Sequence, residues 1–174
     1  TMGQVSKVEV NPLLTTVLRM DFFDRLEPAG IARKGFINKC FDVPCGEITA
    51  SDKLRVMFLD ESSDEWNVFS TAERKELIFH IMHRLAVGGG LNQYDDTMEP
   101  YLDLCKALYK DLVSVQKDGA GQLQVRSFTF IVKQATGSAG PLFPRDSENN
   151  FCYITIDPTQ RHVKYWYGAW FPMM

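Results

Sequence analysis

The hydrophobic pattern changes period near Leu112, and no other feature constrains the fold as strongly. Up to that point, apolar residues recur at the spacing of one helix face: Tyr101, Leu104, Cys105, Leu108, Tyr109 and Leu112. Beyond it, Val113 and Val115 alternate with polar residues, which is typical of a strand. Because helices precede a run of antiparallel strands, we predict an α+β fold, with an antiparallel sheet of about four to six strands packed against two or three helices.

A second helix is predicted after residue 70. Ser70 and Glu73 stand at capping-box spacing, in which the serine oxygen accepts a backbone N–H and the glutamate reaches back to the cap. The apolar stripe that follows consists of Leu77, Ile78, Ile81, Met82 and Leu85, and Gly88-Gly89-Gly90 ends it. His80 and His83 lie far from this stripe around the helix, so we expect both imidazoles to face solvent.

Patterns in the first third of the chain are shorter. The predicted elements are a strand over residues 4–10, a buried helix over 13–26, a loop over 40–51 and a strand buried on both faces over 54–60. Asn11-Pro12 is expected to end the first strand. The loop is predicted from Pro44 and Gly46, and the last strand from a short, nearly continuous apolar run.

The last third of the chain predicts two hairpins. The first turns at Asp118-Gly119-Ala120-Gly121, between alternating residues near 113–115 and a return strand over 122–133. The alternation of that return strand changes parity near Arg126-Ser127, which suggests a β-bulge. After a loop over 137–150, strands over 151–156 and 162–167 flank a turn at Asp157-Pro158.

Length and composition narrow the classes of fold and function. The chain has 174 residues, 45% hydrophobic and 24% charged, so we predict a single domain over residues 1–174. The net charge of −3 argues against a nucleic-acid module, because phosphate binding leaves a basic footprint. The longest apolar runs fall far short of the ~20 residues that span a bilayer, so no membrane association is expected. The absence of an apolar signal region favours an intracellular location, and Thr1 before Met2 suggests a piece of a longer protein.

No coherent catalytic or metal-binding constellation stands out. His80 and His83 with Cys40 and Cys45 could make a zinc site, but their C-x4-C and H-x2-H spacings fit such sites poorly. Cys105 lies within a predicted core stripe, where a thiol serves as a small hydrophobe. We therefore expect no catalytic, cofactor-binding or metal-ligating residue and no enzymatic activity. Two alternatives stay open: an enzymatic or small-molecule-binding α+β domain, and a domain stabilised by zinc.

The C-terminal end is unusually aromatic, with the run Tyr165-Trp166-Tyr167-Gly168-Ala169-Trp170-Phe171. Alternation along the strand is expected to bury Val163, Tyr165 and Tyr167 and to leave Trp166 on the exposed side. We predict that Trp166, Trp170 and Phe171 contact a protein partner, because an exposed tryptophan can anchor an interface. Packing in the core is the alternative for these residues.

Several strings along the chain resemble one known family. Four strings come in the order and spacing of the cilia- and flagella-associated protein 300 family: Gly89-Gly90-Leu91, Gln93-Tyr94-Asp95, Pro100-Tyr101-Leu102 and the eight residues from Leu108 to Val115. Further matching strings are Lys39-Cys40-Phe41-Asp42, Leu54-Arg55-Val56, Phe69-Ser70, Asp157-Pro158 and Arg161-His162. The resemblance is densest over residues 35–115. Tails in the family are less aromatic than this one, so no role of that segment is carried over.

The resemblance implies a non-enzymatic protein of motile cilia. The family is linked to assembly of outer and inner dynein arms, in the cytoplasm and at the cilium. The partners that the resemblance implies are preassembly factors such as the kintoun-type protein, dynein subunits and the intraflagellar transport machinery. It also implies that the chain is the C-terminal domain of a longer protein. No catalytic or metal-binding residue is known in the family, so no site residue transfers to this sequence.

Overall fold

The structure is a computed structural model that describes residues 4–46, 48–88, 94–138 and 140–170. It divides into two compact units. The middle unit comprises Val17–Tyr109, and the terminal unit combines Thr1–Thr16 with Lys110–Met174. The organisation of residues 1–174 as a single domain remains a prediction.

Helices and strands are both well represented in the described residues. The α-helices are α1 (Lys53–Leu59), α2 (Leu77–Val87) and α3 (Glu99–Leu112), and short 3-10 helices cover Met20–Leu26, Glu65–Val68 and Glu73–Lys75. The strands are β1 (Val5–Leu13), β2 (Ala32–Arg33), β3 (Phe36–Ile37), β4 (Lys39–Cys45), β5 (Ile48–Asp52), β6 (Val115–Lys117), β7 (Leu123–Val125), β8 (Phe128–Gly137), β9 (Gly140–Pro141), β10 (Phe151–Asp157) and β11 (His162–Gly168). Among these described ranges, no helix has the length and hydropathy needed to cross a bilayer.

An antiparallel five-stranded sheet lies in the terminal unit. Its order is β1-β8-β10-β11, with β9 paired to β8, and together with the helices it confirms the predicted α+β class. The prediction that the first strand ends at Asn11-Pro12 is wrong, since β1 continues to Leu13 with Pro12 opposite Phe130. The proline is tolerated because β1 is an edge strand, where a residue without an N–H donor does not break the ladder.

The middle unit starts with a shorter helix than the sequence predicts. The predicted helix over 13–26 is wrong in extent, because Leu13 belongs to β1 and only Met20–Leu26 is helical, as a 3-10 helix. This short helix buries Phe22 and Phe23, whose ring centroids lie 4.9 and 6.0 Å from that of Phe69. The three rings form one aromatic cluster of the core.

Residues 40–51 form a hairpin where the sequence predicts a loop. β4 and β5 pair antiparallel, with Pro44 opposite Thr49. Gly46 follows β4 with a φ of +61°, a left-handed conformation that favours glycine. The loop prediction is therefore wrong because the proline lies in a two-stranded ribbon, where it need not donate to a second neighbour.

The apolar run over 54–60 is a helix where the sequence predicts a strand. α1 buries every side chain from Leu54 to Phe58. A helix buried all round has no apolar period, so its short run cannot be distinguished from a buried strand by pattern alone. Asp52 caps α1, because its Oδ1 accepts the backbone N–H of Arg55 at 3.0 Å.

The capping box at Ser70 and Glu73 is confirmed. The Glu73 N–H donates to Ser70 Oγ at 3.3 Å, and the Ser70 N–H donates to Glu73 Oε2 at 2.8 Å. The box starts a 3-10 turn over Glu73–Lys75, and α2 follows at Leu77. α2 ends at Gly88, whose φ is +65°.

The glycines after the end of α2, Gly89 and Gly90, lie outside the described residues. The next predicted helix is confirmed as α3, and its stripe buries Tyr101, Cys105, Tyr109 and Leu112. Leu104 departs from the stripe, since half of its surface is exposed.

The hairpin predicted at Asp118 is confirmed as β6 and β7. The Asp118 Oδ1 accepts the backbone N–H groups of Ala120 and Gln122 at 2.9 and 2.8 Å. At Arg126-Ser127 the chain leaves this ribbon and enters the large sheet as β8, so the predicted bulge is a break between two sheets. The predicted loop over 137–150 contains the two-residue strand β9.

Candidate functional site

The hairpin of β10 and β11 carries most of the aromatic tail. Tyr153 lies opposite Trp166, and Ile154 lies opposite Tyr165. Val163 and Tyr165 are 64% and 73% exposed, whereas Tyr153 is fully buried. The predicted assignment of faces is therefore wrong, because the side chains expected in the core point outward. Alternation divides a strand into two faces, but the neighbouring structure decides which face is covered.

Trp166 is half-buried against aromatic rings of β10. Its ring centroid lies 4.7 Å from that of Phe151 and 5.7 Å from that of Tyr153. Phe151 also covers Gly168, where an added Cβ would lie 2.5 Å from the phenyl ring. This aromatic cluster of Phe151, Tyr153 and Trp166 holds the two strands together on one face. Contact of Trp166 with a partner remains a prediction.

Trp170 follows the last strand and is also half-buried. Its backbone N–H donates to Asn150 Oδ1 at 2.9 Å, which attaches the chain after β11 to the loop before β10. Phe171 lies outside the described residues. The role of Trp170 and Phe171 in partner binding remains a prediction.

The outward side chains of the hairpin continue across the sheet as one apolar surface. One row crosses four strands, each residue opposite the next: Pro12, Phe130, Ile154 and Tyr165. A second row beside it consists of Phe128, Ile156 and Val163. We call these seven residues the open face. Its members include no charged side chain, and Phe128 is 62% exposed. A contiguous apolar patch of this kind is typical of an interaction surface.

A loop borders the open face at one end of β11. The Phe143 ring stacks on that of Tyr167, with centroids 5.6 Å apart and planes 5° from parallel. The Tyr167 hydroxyl donates to the carbonyl of Leu142 at 2.9 Å. Tyr167 is therefore held by its own unit, and the open face ends at Tyr165 on this strand.

A buried ion pair lies at the other end of the strands. The Arg126 guanidinium donates to Asp157 Oδ2 from Nη2 at 2.6 Å and from Nε at 3.1 Å. These two hydrogen bonds to one carboxylate oxygen lower the pKa of the Asp157 carboxyl, with a further contribution from the N–H of Gln160. Asp157 Oδ1 also accepts the N–H of Thr159, so the carboxylate holds the turn between β10 and β11. The hairpin that presents Val163 and Tyr165 is thus fixed at its turn.

The middle unit contains a buried charged network that sequence reasoning missed. Arg55 of α1 is 1% exposed, and its guanidinium pairs with the carboxylate of Asp52. It donates to the Tyr101 hydroxyl at 2.8 Å and lies 3.5 Å from the ring centroid of Tyr94. The Tyr101 hydroxyl also accepts the N–H of Asp95 at 3.0 Å.

This network joins α1 to α3 and to the segment before it. Three of its residues belong to strings that carry the family resemblance: Arg55, Tyr94 and Tyr101. Arg55 and Tyr101 are buried in the middle unit, whereas Tyr94 is 45% exposed and covers the guanidinium with its ring. The sequence signal was an arginine inside an apolar run, three residues after an aspartate. A buried arginine needs a carboxylate partner, so the pair could have been proposed from that spacing.

His83 stacks on Phe58 instead of facing solvent. The ring centroids lie 5.1 Å apart and the planes are 6° from parallel. Burial lowers the pKa of His83 to about 3, and the nearby charges of Arg84, His80 and Arg74 act in the same direction. The expectation of a solvent-facing imidazole is wrong for His83, because Phe58 of α1 packs on the face of α2 that the apolar stripe does not cover.

The cysteines take part in packing. Among the residues that the structure describes, no three histidine, cysteine, aspartate or glutamate side chains come together as a possible metal site. Cys40 and Cys45 are half-buried on β4, and burial raises the pKa of both thiols. Cys105 is fully buried, its Sγ lies 3.6 Å from the carbonyl oxygen of Ile78, and burial raises its pKa to about 12. The predicted core position of Cys105 is confirmed.

A concave pocket of about 450 Å³ lies in the terminal unit beside β8. Its charged lining residues are Glu9, Lys133, Arg145 and Asp146. The lining includes no histidine, cysteine or hydroxyl side chain.

Comparisons with known proteins agree on one family. The family model of cilia- and flagella-associated protein 300 matches residues 1–168. A protein of that name from Chlamydomonas reinhardtii is 39% identical over 176 residues, which cover 98% of this chain and 68% of the relative. Another, from Paramecium tetraurelia, is 30% identical over 167 residues, which cover 95% of this chain and 65% of the relative. No solved structure matches the chain.

The match extends over nearly all of this chain, whereas the chain spans about two thirds of the length of these curated relatives. The family model covers the open face, the aromatic cluster and the Arg55 network together. The resemblance seen in the sequence strings is thereby confirmed. This chain belongs to the cilia- and flagella-associated protein 300 family.

Proposed function

We propose that this chain is a non-enzymatic adaptor in the assembly of axonemal outer and inner dynein arms. It acts in the cytoplasm and in the motile cilium, where it binds dynein subunits, preassembly factors such as the kintoun-type protein, and the intraflagellar transport machinery. Membership of a family named for cilia and flagella supports the ciliary setting. The relatives are longer than this chain, so the proposal concerns the contribution that these residues make to the whole protein.

The open face is the observation that carries this proposal. An adaptor binds without turnover, so it needs a complementary surface and no catalytic pocket. The open face offers two adjacent rows of apolar side chains across four strands, with Phe128, Val163 and Tyr165 each more than half exposed. A protein partner that covers these side chains removes apolar area from water, at about 25 cal/mol per Å².

The packing beneath the open face supports the same role. On the opposite side of the sheet, Tyr153 and Ile131 are buried, and Thr129 contacts Thr155 through their hydroxyls at 3.3 Å. The side chains of the open face therefore project from a sheet that is well packed on its other side. A rigid surface loses little conformational entropy when a partner binds, which favours affinity.

Capture from an extract of ciliating cells tests the proposal. The tagged chain serves as bait, and mass spectrometry identifies the proteins recovered. We compare the unchanged chain with Phe128→Lys, which places a charge on the open face. Phe41→Lys is the matched control, because Phe41 is 95% exposed on β4 in the other unit.

We expect the unchanged chain and Phe41→Lys to capture dynein subunits, preassembly factors or transport proteins. Phe128→Lys is expected to reduce their recovery roughly tenfold, as loss of a central interface residue does. Equal recovery with Phe128→Lys contradicts the assignment of the open face. Recovery of these proteins by the longer family protein but not by this chain contradicts an adaptor role for these residues.

A further inference from the structure

The last strand, β11, lies at an edge of the sheet without the features that usually protect an edge. In the described part of the chain it pairs only with β10, through seven consecutive pairs with no register shift. The opposite edge strand, β1, has two register shifts and contains Pro12. Bulges and prolines discourage pairing with a further strand, whereas a regular edge leaves a row of N–H and C=O groups ready to pair.

The one charged side chain near the centre of β11 does not protect this edge. Lys164 would hinder pairing if its ammonium group stood free beside the strand. Its Nζ instead donates to the carbonyl of Asp111 at 2.5 Å, within the same unit. The exposed side chains at the centre of the strand, Val163 and Tyr165, are apolar.

We propose that two copies of the chain pair along β11, antiparallel, about a twofold axis at Tyr165. His162–Gly168 has Tyr165 at its midpoint, so this register pairs the strand over its full length. Tyr165 lies opposite its copy, Val163 opposite Tyr167, and Lys164 opposite Trp166 of the second chain. Tyr165 with its copy is an aromatic pair and Val163 with Tyr167 is an aromatic–aliphatic pair, and pairs of both kinds stabilise neighbouring strands.

Competing registers are less favourable because they pair fewer residues of the strand. The twofold axis is perpendicular to the sheet, so both open faces lie on the same side, and only residues of the same face can be opposite. A shift by one step toward the start of the strand puts Lys164 opposite its copy and leaves Tyr167 and Gly168 without partners. A shift toward the end puts Trp166 at the axis and leaves His162 and Val163 without partners.

The proposed pairing joins two sheets into one and doubles the open face. It goes beyond the adaptor function, which requires no second copy. An edge of seven residues buries less than the ~800 Å² per partner of a standard interface, so we expect a reversible dimer with a roughly micromolar Kd.

Sedimentation velocity of the purified chain over about 1 to 100 µM measures the dimerisation. We expect the 19.8 kDa monomer to convert to a dimer across this range. Tyr165→Lys places two ammonium groups at the axis and is expected to weaken dimerisation at least tenfold. Phe128→Lys, on the open face but two strands from the edge, is expected to dimerise like the unchanged chain.

Three outcomes of this measurement overturn the proposal. One is a monomer at every concentration. Another is unchanged dimerisation of Tyr165→Lys. The third is loss of dimerisation in Phe128→Lys with retention in Tyr165→Lys, which would show pairing through the open face. Because Phe128→Lys is the variant that tests the adaptor function, failure of the dimer and failure of that function are distinguished.

Disulfide formation tests the register. In a background of Cys40→Ser and Cys45→Ser, Tyr165→Cys is expected to give a covalent dimer under mild oxidation, because directly opposite Cβ atoms lie about 4.5–5.5 Å apart. Val163→Cys alone is expected to remain uncrosslinked, and a mixture of Val163→Cys and Tyr167→Cys chains is expected to crosslink. Crosslinking of Val163→Cys alone with none of Tyr165→Cys overturns the proposed axis.

Discussion

Trp166 and Tyr153 lie directly opposite each other on β11 and β10, with ring centroids 5.7 Å apart. Tyr153 is fully buried, so this pair decides which side of the C-terminal hairpin faces the core. The same pairing turns Tyr165, the residue before Trp166 on β11, outward onto the open face. The surface proposed for partner binding therefore depends on a packing contact on the other side of the sheet.

Trp166→Ala is expected to destabilise the fold by about 2 kcal/mol, because it removes the ring that packs on Phe151 and Tyr153. Urea unfolding followed by far-UV circular dichroism measures the effect. Trp166→Phe keeps an aromatic ring in the cluster, so we expect it to lose less than half as much unfolding free energy as Trp166→Ala. An unchanged unfolding midpoint for Trp166→Ala would show that Trp166 is free to act as a partner contact alone.

Gly168→Ala is expected to destabilise the terminal unit by about 1–3 kcal/mol, because the added Cβ would lie 2.5 Å from the Phe151 ring. Gly119→Ala is the matched control, since a Cβ at that turn meets no atom within 4 Å. Thermal unfolding of both variants compares them. Equal melting temperatures of the two variants would mean that Phe151 moves aside without a loss of stability.

Arg55→Met is expected to cost about 3 kcal/mol of unfolding free energy, because it leaves the Asp52 carboxylate buried without its cation. Lys39→Met removes an exposed partner of Asp96 and is expected to cost less than about 1 kcal/mol. Urea titration of the two variants makes the comparison. Costs of similar size would contradict the buried network.

His83 is expected to make stability depend on pH. Its pKa is lowered to about 3 in the folded chain, so the unfolded chain binds the proton first as the pH falls below its ordinary value near 6.5. This contribution to stability is present above pH 6.5 and is lost progressively between about pH 6.5 and 3. His83→Phe keeps the stack on Phe58 but has no group that titrates in this range. Between pH 7 and pH 5, its urea unfolding midpoint should therefore fall less than that of the unchanged chain. Identical losses of stability in both chains would contradict a neutral His83 packed on Phe58.

Sequence patterns predicted the elements that have a clear period or a turn signal. The capping box at Ser70, the helix from Glu99 and the turn at Asp118 are all present, because each is determined by local hydrogen bonds or by one buried face. α1 was not predicted, since a helix buried on all sides has no period. β4 and β5 were missed because Pro44 and Gly46 suit a short ribbon as well as a loop.

The predicted partner contacts and the open face lie at the same end of the chain but consist of different residues. The sequence singles out the aromatic end of the chain, and that hairpin does contribute Val163 and Tyr165 to the open face. Its contributions from β8, such as Phe128, come from a distant part of the chain and depend on strand order. Strand order and the covered side of a sheet arise from long-range packing, which a single strand's alternation does not contain.

Complementation of ciliated cells that lack the family protein tests whether the open face supports assembly of the dynein arms. The full-length protein carrying Phe128→Lys is compared with the one carrying Phe41→Lys at equal abundance, and the outer and inner dynein arm subunits in isolated axonemes are quantified. We expect Phe41→Lys to restore the arms and Phe128→Lys to leave them deficient. Full restoration by Phe128→Lys would contradict the open face as the surface through which this family member supports arm assembly.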